Sequence, residues 1–357
     1  MRDYNIAIIP GDGIGNEVVP EGIRVLDAAS EITGSYKFKY EHFPWGCEYY
    51  LKHGEMMAKD GLEILKPFDA IFFGAVGFPT VPDHITLRGL RLPICQGFEQ
   101  YVCYRPNLLL PGVKSPLAGK RVGDIDFVVI RENTEGEYSG AGGRAHLGLP
   151  IEVAVQTSVF TRVGVERIIR YSFKLAYSRR KHLVSATKSN AQQYALTLWD
   201  EVVEAVSVEF PAVKVERVLI DALCARFVLK PESLDVVVGS NLFGDILTDL
   251  GAAICGSLGL APSGNINPER EYPSMFEPVH GSAPDIYGQG IANPIAQIWS
   301  GAMMLEFIGE KQAADLIMSA IKVVLTQGQT LTPDLGGSAK TTKVTEAVLA
   351  KMRAAAN

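Results

Sequence analysis

Short apolar runs rich in β-branched residues alternate along the whole chain with stretches of helical periodicity, and this alternation leaves few folds open. Asn5–Ile9, Asp69–Phe73, Asp126–Ile130, His182–Ser185, Val215–Ile220 and Asp235–Val238 read as strands bounded by turn formers or charges. Helical patterns cover Gly15–Ala29, Thr161–Ser178, Ala191–Glu209, Phe243–Gly256, Pro294–Ile308 and Lys311–Gln327. Strands separated by helices of this length argue an α/β fold with a mostly parallel central sheet. At 357 residues the chain suits two domains. No internal repeat or low-complexity linker interrupts it. Two stretches rich in Gly and Pro, Gly74–Pro116 and Ala261–Pro294, read as long irregular segments, and long loops inside a compact α/β protein are commonly functional.

Composition narrows the partners. Lys and Arg total 34 against 40 Asp and Glu, a net charge of −6. That balance disfavours nucleic acid and anionic membranes while allowing a local basic pocket for a small anion. The five cysteines (Cys47, Cys95, Cys103, Cys224, Cys255) are scattered without a CxxC, so neither a disulfide framework nor a thiolate zinc site is expected. The most apolar stretch, Leu242–Pro262, carries Asp245 and Asp249 and is no membrane span. Met1-Arg2-Asp3-Tyr4 runs straight into a strand-like segment, giving the expectation of a cytoplasmic chain without a signal peptide.

Several segments carry chemistry. Gly11-Asp12-Gly13-Ile14-Gly15-Asn16 lies between a strand and a helix, but Asn16 breaks the G-x-G-x-x-G pattern, so a tight glycine turn is as good a reading as a phosphate cradle. Arg131 stands at the end of the DFVVI strand, and Arg105 precedes Pro106 in what reads as a stiffened loop. Two guanidinium groups suit a small carboxylate, although a surface ion-pair network would look the same. Asp245 and Asp249 stand at i and i+4 on one helix face, where like charges repel unless a cation intervenes. With Asp221, just past a strand, they suit Mg²⁺ or Mn²⁺; acids capping a helix start explain the same pair. Lys188 sits between a strand and a helix, where a solvated lysine is the ordinary case. The segment from Glu277 to Pro294 offers His280, Asp285, Asn293 and free backbone amides to a nucleotide, with a satisfied core histidine as the plainer account of His280.

Taken in order, IPGDGIGNE, RENTEGEYSG, SNLFGDILTDL and EPVHGSAPDIYGQGIANP resemble the β-decarboxylating dehydrogenases, the family of isopropylmalate, isocitrate, homoisocitrate and tartrate/D-malate enzymes. VPDHITL, ICQGFEQY, SATKSNAQ and LCARFVLKPE are most similar to the tartrate/D-malate branch. The resemblance implies two α/β domains, residues 1–100 with 255–357 and residues 101–254, with the active site in the interdomain cleft. It implies a homodimer whose sites each borrow Lys188 and Asp221 from the partner. It also implies NAD- and metal-dependent oxidation of a small 2-hydroxy diacid, with decarboxylation of D-malate to pyruvate and CO₂.

By position, Arg105 and Arg131 would hold substrate carboxylate; Asp221, Asp245 and Asp249 would bind Mn²⁺ or Mg²⁺. Lys188 would be the general base and Tyr138 the proton donor. Asn190 would lie near the nicotinamide. His280, Gly281, Ser282, Ala283, Ile286 and Asn293 would cradle the adenosine half, and Asp285 would take the ribose hydroxyls, which favours NAD over NADP. K⁺ is a further candidate cofactor. One departure stands out: Cys95 occupies the position of a further substrate arginine, with Arg91 and Arg88 one and two helical turns earlier. Arg91 is therefore put forward for substrate, and it disfavours the isopropyl group of isopropylmalate while leaving homoisocitrate open. A metal-dependent lyase and an inactive paralogue are the readings from other classes.

Overall fold

The computed structural model describes residues 1–356. The chain forms two compact units, one of Met1–Gln100, Leu108–Gly123 and Ala252–Asn357, the other of Tyr101–Asn107 and Asp124–Gly251.

In the first unit, five strands run in the order Tyr36–His42, Arg2–Gly11, Ala70–Ala75, Ser274–Pro278, Pro262–Ile266. All neighbours are parallel except the last pair. Side chains alternate across the pleat, so Ile6, Ile8, Phe72 and Phe276 enter a core with the helices Gly15–Thr33, Ile295–Ile308, Lys311–Gln327 and Thr341–Ala356. Their neighbours Ala7, Ile9, Ile71, Phe73 and Met275 face the opposite way, onto a second core with Trp45, Cys47, Leu90 and Cys95. Burial on both faces explains why Asn5–Ile9 and Asp69–Phe73 read as apolar runs.

In the second unit the order is Val102–Leu108, Asp126–Glu132, Val236–Gly239, His182–Thr187, Lys214–Leu219. The last four are parallel to one another. Helices Arg162–Ser178, Ala195–Ser207, Ile220–Leu229 and Asn241–Ile254 accompany them. Thr161 caps the first of these through its side chain, as a β-region threonine at an N-cap does. A two-stranded antiparallel hairpin, Gly142–Ala145 with Val153–Gln156, is exposed along its whole length.

Three readings of the sequence need correction. The segments Gly74–Pro116 and Ala261–Pro294 are not irregular throughout. The first contains helix Asp83–Thr86, a π-helical turn Leu87–Arg91, helix Leu92–Gly97 and the strand Val102–Leu108; the second contains two fully buried strands. Pro262 and Pro278 sit at strand ends, where proline is tolerated, and Gly264 pairs across the ladder with Phe276, whose ring covers it. Arg105 accordingly lies in a strand and not in a loop. Tyr36–His42, Ile220–Leu229 and Thr341–Ala356 are also regular, although their patterns were too polar or too short to stand out.

The glycine turn after the first strand is a packing device. Gly11 and Gly13 have φ of +70° and +52°, and a Cβ on Gly13 would lie 2.1 Å from the Ser282 carbonyl oxygen. That carbonyl accepts the Ile14 N–H at 2.9 Å, so the turn supports the 279–294 loop. Gly13→Ala is expected to lower unfolding free energy by about 2–4 kcal/mol, from αL strain plus overpacking. Gly34→Ala, with φ of +64° and open space around it, should cost only about 1 kcal/mol. Urea titration of both variants checks this, and equal losses would contradict the close-approach argument.

Candidate active site

The end of the Asp126–Glu132 strand delivers Arg131, the Val102–Leu108 strand delivers Arg105, and helix Asn241–Ile254 delivers Asp245, Thr248 and Asp249. Both arginines are buried, at 2% and 6% exposure, which rules out the surface-network account. Arg131 donates from Nε and Nη2 to Asn241 Oδ1 at 3.0 and 2.7 Å and from Nη1 to Asp245 Oδ1. Arg105 Nη1 donates to Thr248 Oγ1 at 2.5 Å and lies 3.5 Å from Asp245 Oδ1. Tyr138 Oη donates to Asp245 Oδ2 at 3.0 Å, and its ring lies under the Arg131 guanidinium, 5.3 Å from centroid to Cζ. Three groups, from strand Val102–Leu108 and from the segment 131–138, thus converge on one carboxylate. The helix can approach so closely because residue 244 is glycine, where a Cβ would come within 2.5 Å of the Arg131 side chain.

Electrostatics follow from this packing. Burial, reinforced by Asp245, raises the Tyr138 pKa, so the phenol remains an O–H donor at neutral pH. Burial also raises Asp249, with Arg105 opposing and Asp245 adding to the rise. Two carboxylates one helical turn apart, one of them resisting ionisation, form a hard oxygen donor pair that suits a divalent cation. Among the described residues no three His, Cys, Asp or Glu side chains form a metal-binding group, so Asp221 does not complete this pair within one chain. It instead accepts from Lys188 Nζ at 2.5 Å, and that hydrogen bond holds its carboxyl below the usual range. Lys188 and Asp221 follow the ends of neighbouring strands, and the Lys188 turn is anchored by Ser189 Oγ on Asp200 at 2.7 Å. Asn190 is exposed in that turn.

The remaining expected cofactor residues lie in the other unit, on the 279–294 loop. Ser282 is buried, Ala283 adopts a φ of +42°, and Ile286 packs against Ile14, Val18 and Ala292. Asn293 donates to Asp334 at 3.0 Å and accepts the Ile295 N–H at 3.0 Å, while Gly281 and Asp285 are exposed. His280 Nδ1 lies 3.0 Å from the Gly281 carbonyl oxygen, and its Nε2 is buried without a hydrogen-bond partner. Burial lowers its pKa, leaving a neutral imidazole with an unpaired nitrogen, which is not a satisfied core histidine. An orphaned nitrogen on a loop of exposed backbone fits a nucleobase.

Arg91, put forward for substrate, has internal partners in this structure. It is buried in the first unit, where Nε and Nη2 approach Glu277 Oε1 at 2.8 and 2.7 Å and Nη2 donates to Asn265 at 3.1 Å. Its π-helical turn and the apolar surroundings make an internal ion pair the way to compensate a buried guanidinium. Cys95 is wholly buried in the adjacent core.

Sequence reading overlooked Asn241, Thr248 and the three glutamates of Arg131–Tyr138. The glutamates had a signal in their E-x-x-E-x-E spacing, which places acids around one turn. Glu132 accepts from Thr134 N, Thr134 Oγ1 and Glu135 N at 2.8–3.0 Å, and its burial raises its pKa against those bonds.

Buried arginines, paired helix aspartates and a protonated tyrosine define an enzyme for small polyanionic substrates. The chain belongs to the isocitrate/isopropylmalate dehydrogenase family, whose model matches residues 5–348. It is 58% identical over 349 residues to a probable tartrate dehydrogenase/decarboxylase of Agrobacterium vitis, covering 98% of this chain and 97% of that one. It is likewise 58% identical over 356 residues to the D-malate dehydrogenase (decarboxylating) of Escherichia coli K12, covering 98% of each. The crystal structure of isocitrate dehydrogenase from Methylococcus capsulatus superimposes with a TM-score of 0.88 at 34% identity, over 98% of this chain and 99% of that one. Among the described residues no helix is long and apolar enough to cross a membrane.

Proposed function

We propose that this enzyme oxidises D-malate or tartrate with NAD and Mn²⁺ or Mg²⁺, and decarboxylates the oxidised D-malate to pyruvate. The observation that carries the reading is the convergence of Arg131, Arg105 and Tyr138 on Asp245. The names of the relatives at 58% identity support it. When bound, the metal would supply Lewis-acid stabilisation at C2 and the nicotinamide a hydride acceptor.

Every other role falls to side chains. Arg105 and Arg131 hold substrate carboxylate, each already fixed by a neighbour on the aspartate helix. Lys188 of a second copy takes the C2 hydroxyl proton as general base. The carboxylate on C3 then leaves reversibly as CO₂, its bonding electrons passing into an enolate that recaptures CO₂ to regenerate the keto diacid until C3 is protonated. Tyr138 delivers a proton to C3 of that enolate. His280, Gly281, Ser282, Ala283, Ile286 and Asn293 would hold the adenosine half, with Asn190 toward the nicotinamide. Asp285 favours NAD, because a carboxylate repels a 2′-phosphate.

Asp245 and Asp249 supply two metal ligands, and Asp221 of a second copy supplies the third. The exposed hairpin supports a homodimer: Leu147, Leu149, Ile151, Val153 and Val155 are each at least half exposed, an apolar strip that a second copy would cover.

The test is NADH formation at 340 nm with NAD, Mn²⁺ and K⁺, and with D-malate, (+)-tartrate, isopropylmalate, isocitrate and homoisocitrate in parallel; NADP forms a second arm. D-malate or tartrate is expected to dominate, with NAD preferred and EDTA removing the activity. Preference for homoisocitrate would reassign the branch. Silence on all five would favour a metal-dependent lyase or an inactive paralogue.

A further inference from the structure

We propose that Glu137 is a positioning residue: by clamping the start of the aspartate helix, it holds Tyr138 against Asp245 and so commits the oxidised substrate to decarboxylation. The inference rests on the reading of Tyr138 as proton donor.

The glutamates of Arg131–Tyr138 each secure a different backbone segment. Glu132 closes its own turn. Glu135 accepts from Thr161 N at 2.9 Å and Thr161 Oγ1 at 2.6 Å, at the cap of helix Arg162–Ser178. Glu137 reaches helix Asn241–Ile254, accepting from Ser240 Oγ at 2.8 Å and from Leu242 N at 3.0 Å. The first N–H groups of a helix lack intrahelical acceptors and lie at the positive end of its dipole, so a carboxylate is well placed there.

The consequence lies in the adjacency of Glu137 and Tyr138. Leu242 and Asp245 are separated by roughly one helical turn, about 5 Å along the axis. Two successive side chains of the loop therefore grip two successive levels of one helix. Gly136, with φ of +72° and packed against Asn241, makes the bend that brings both to it. Asn241 Nδ2 adds a bond to the Glu135 carbonyl at 3.2 Å. Without Glu137, the Tyr138 hydroxyl would rest on a single hydrogen bond at the end of a loosened loop. Arg131 is held by Asn241 and Asp245, and Lys188 by Asp221. Arg131 thus retains Asp245, Arg105 retains Thr248 and Lys188 retains Asp221, partners that Glu137 does not bind.

The experiment compares Glu137→Ala with Glu137→Gln in the holoenzyme. Glutamine can preserve both contacts, its Oε1 accepting from Leu242 N–H and its Nε2 donating to Ser240 Oγ. With D-malate, NAD and Mn²⁺, Glu137→Ala is expected to keep NADH formation within about 3-fold. The fraction of turnovers ending in released oxaloacetate should rise by about 10-fold, less than the ~10²-fold or more that loss of the proton donor itself costs. Glu137→Gln should restore the wild-type partition. Equal loss of both steps, an unchanged partition, or a glutamine variant no better than alanine would overturn the proposal. Ser240→Ala removes one of the two contacts and provides a milder variant, with a smaller shift in the same direction, should the alanine chain fail to fold.

A crystal structure of Glu137→Ala gives a readout without turnover. Tyr138 Oη is expected beyond hydrogen-bond reach of Asp245, and a tyrosine still in place would refute the clamp. If the wild-type chain makes no NADH from D-malate, the substrate reading fails, and this structure still decides the role of Glu137.

Discussion

Lys188→Met is expected to lower kcat for NADH formation from D-malate by about 10³-fold, within the range that removal of a general base costs. Methionine keeps the length and much of the apolar body of lysine while removing the amine. Arg105 and Arg131 are supported from the aspartate helix and not from the Lys188 turn, so KM should change little. A fall in kcat with KM nearly constant marks a contribution confined to the transition state. The fold should be retained. The Lys188–Asp221 pair is partly exposed, with side-chain exposures of 29% and 67%, and solvent screening leaves such a pair little net contribution to stability. Steady-state kinetics together with a melting curve test this. Activity within tenfold of wild type would require another base.

Tyr138→Phe should separate the two chemical steps. The variant keeps the aromatic ring under Arg131 and loses only the hydroxyl on Asp245. Proton delivery to C3 is expected to fall by about 100-fold, and NADH formation by less than about tenfold, because the hydroxyl takes no part in removing the C2 proton. Released oxaloacetate should then account for most of the NADH formed. Product analysis against absorbance at 340 nm measures the ratio, and parallel loss of both steps would assign Tyr138 to binding or to oxidation as well.

Much of this was legible from local pattern. DFVVI and DVVV read as strands because their burial on both faces is matched by apolar residues, and the helices with a single apolar stripe were equally plain. The i, i+4 spacing placed Asp245 and Asp249 together on one helix without any coordinates. Local pattern misled where burial overrode composition. Gly and Pro suggested loops over 262–278, yet the two strands there pair with one another and are covered on both sides. Arg105 followed the same course, because Pro106 looked like a loop residue and sits in a strand.

Residue identity alone determined which groups can bind a carboxylate, hold a hard cation, or give and take a proton, and the order of the motifs determined the family. Which of those groups meet was decided only by the tertiary structure. Arg131 and Asp245 are 114 positions apart, and Arg91 and Glu277 are 186 apart. Sequence periodicity reports on neighbours within a turn or a pleat. Strand order and helix approach decided that one arginine faces the aspartate helix while the other is enclosed by Glu277 and Asn265. A buried guanidinium must find a partner, and the partner it finds depends on which distant strand the sheet sets beside it.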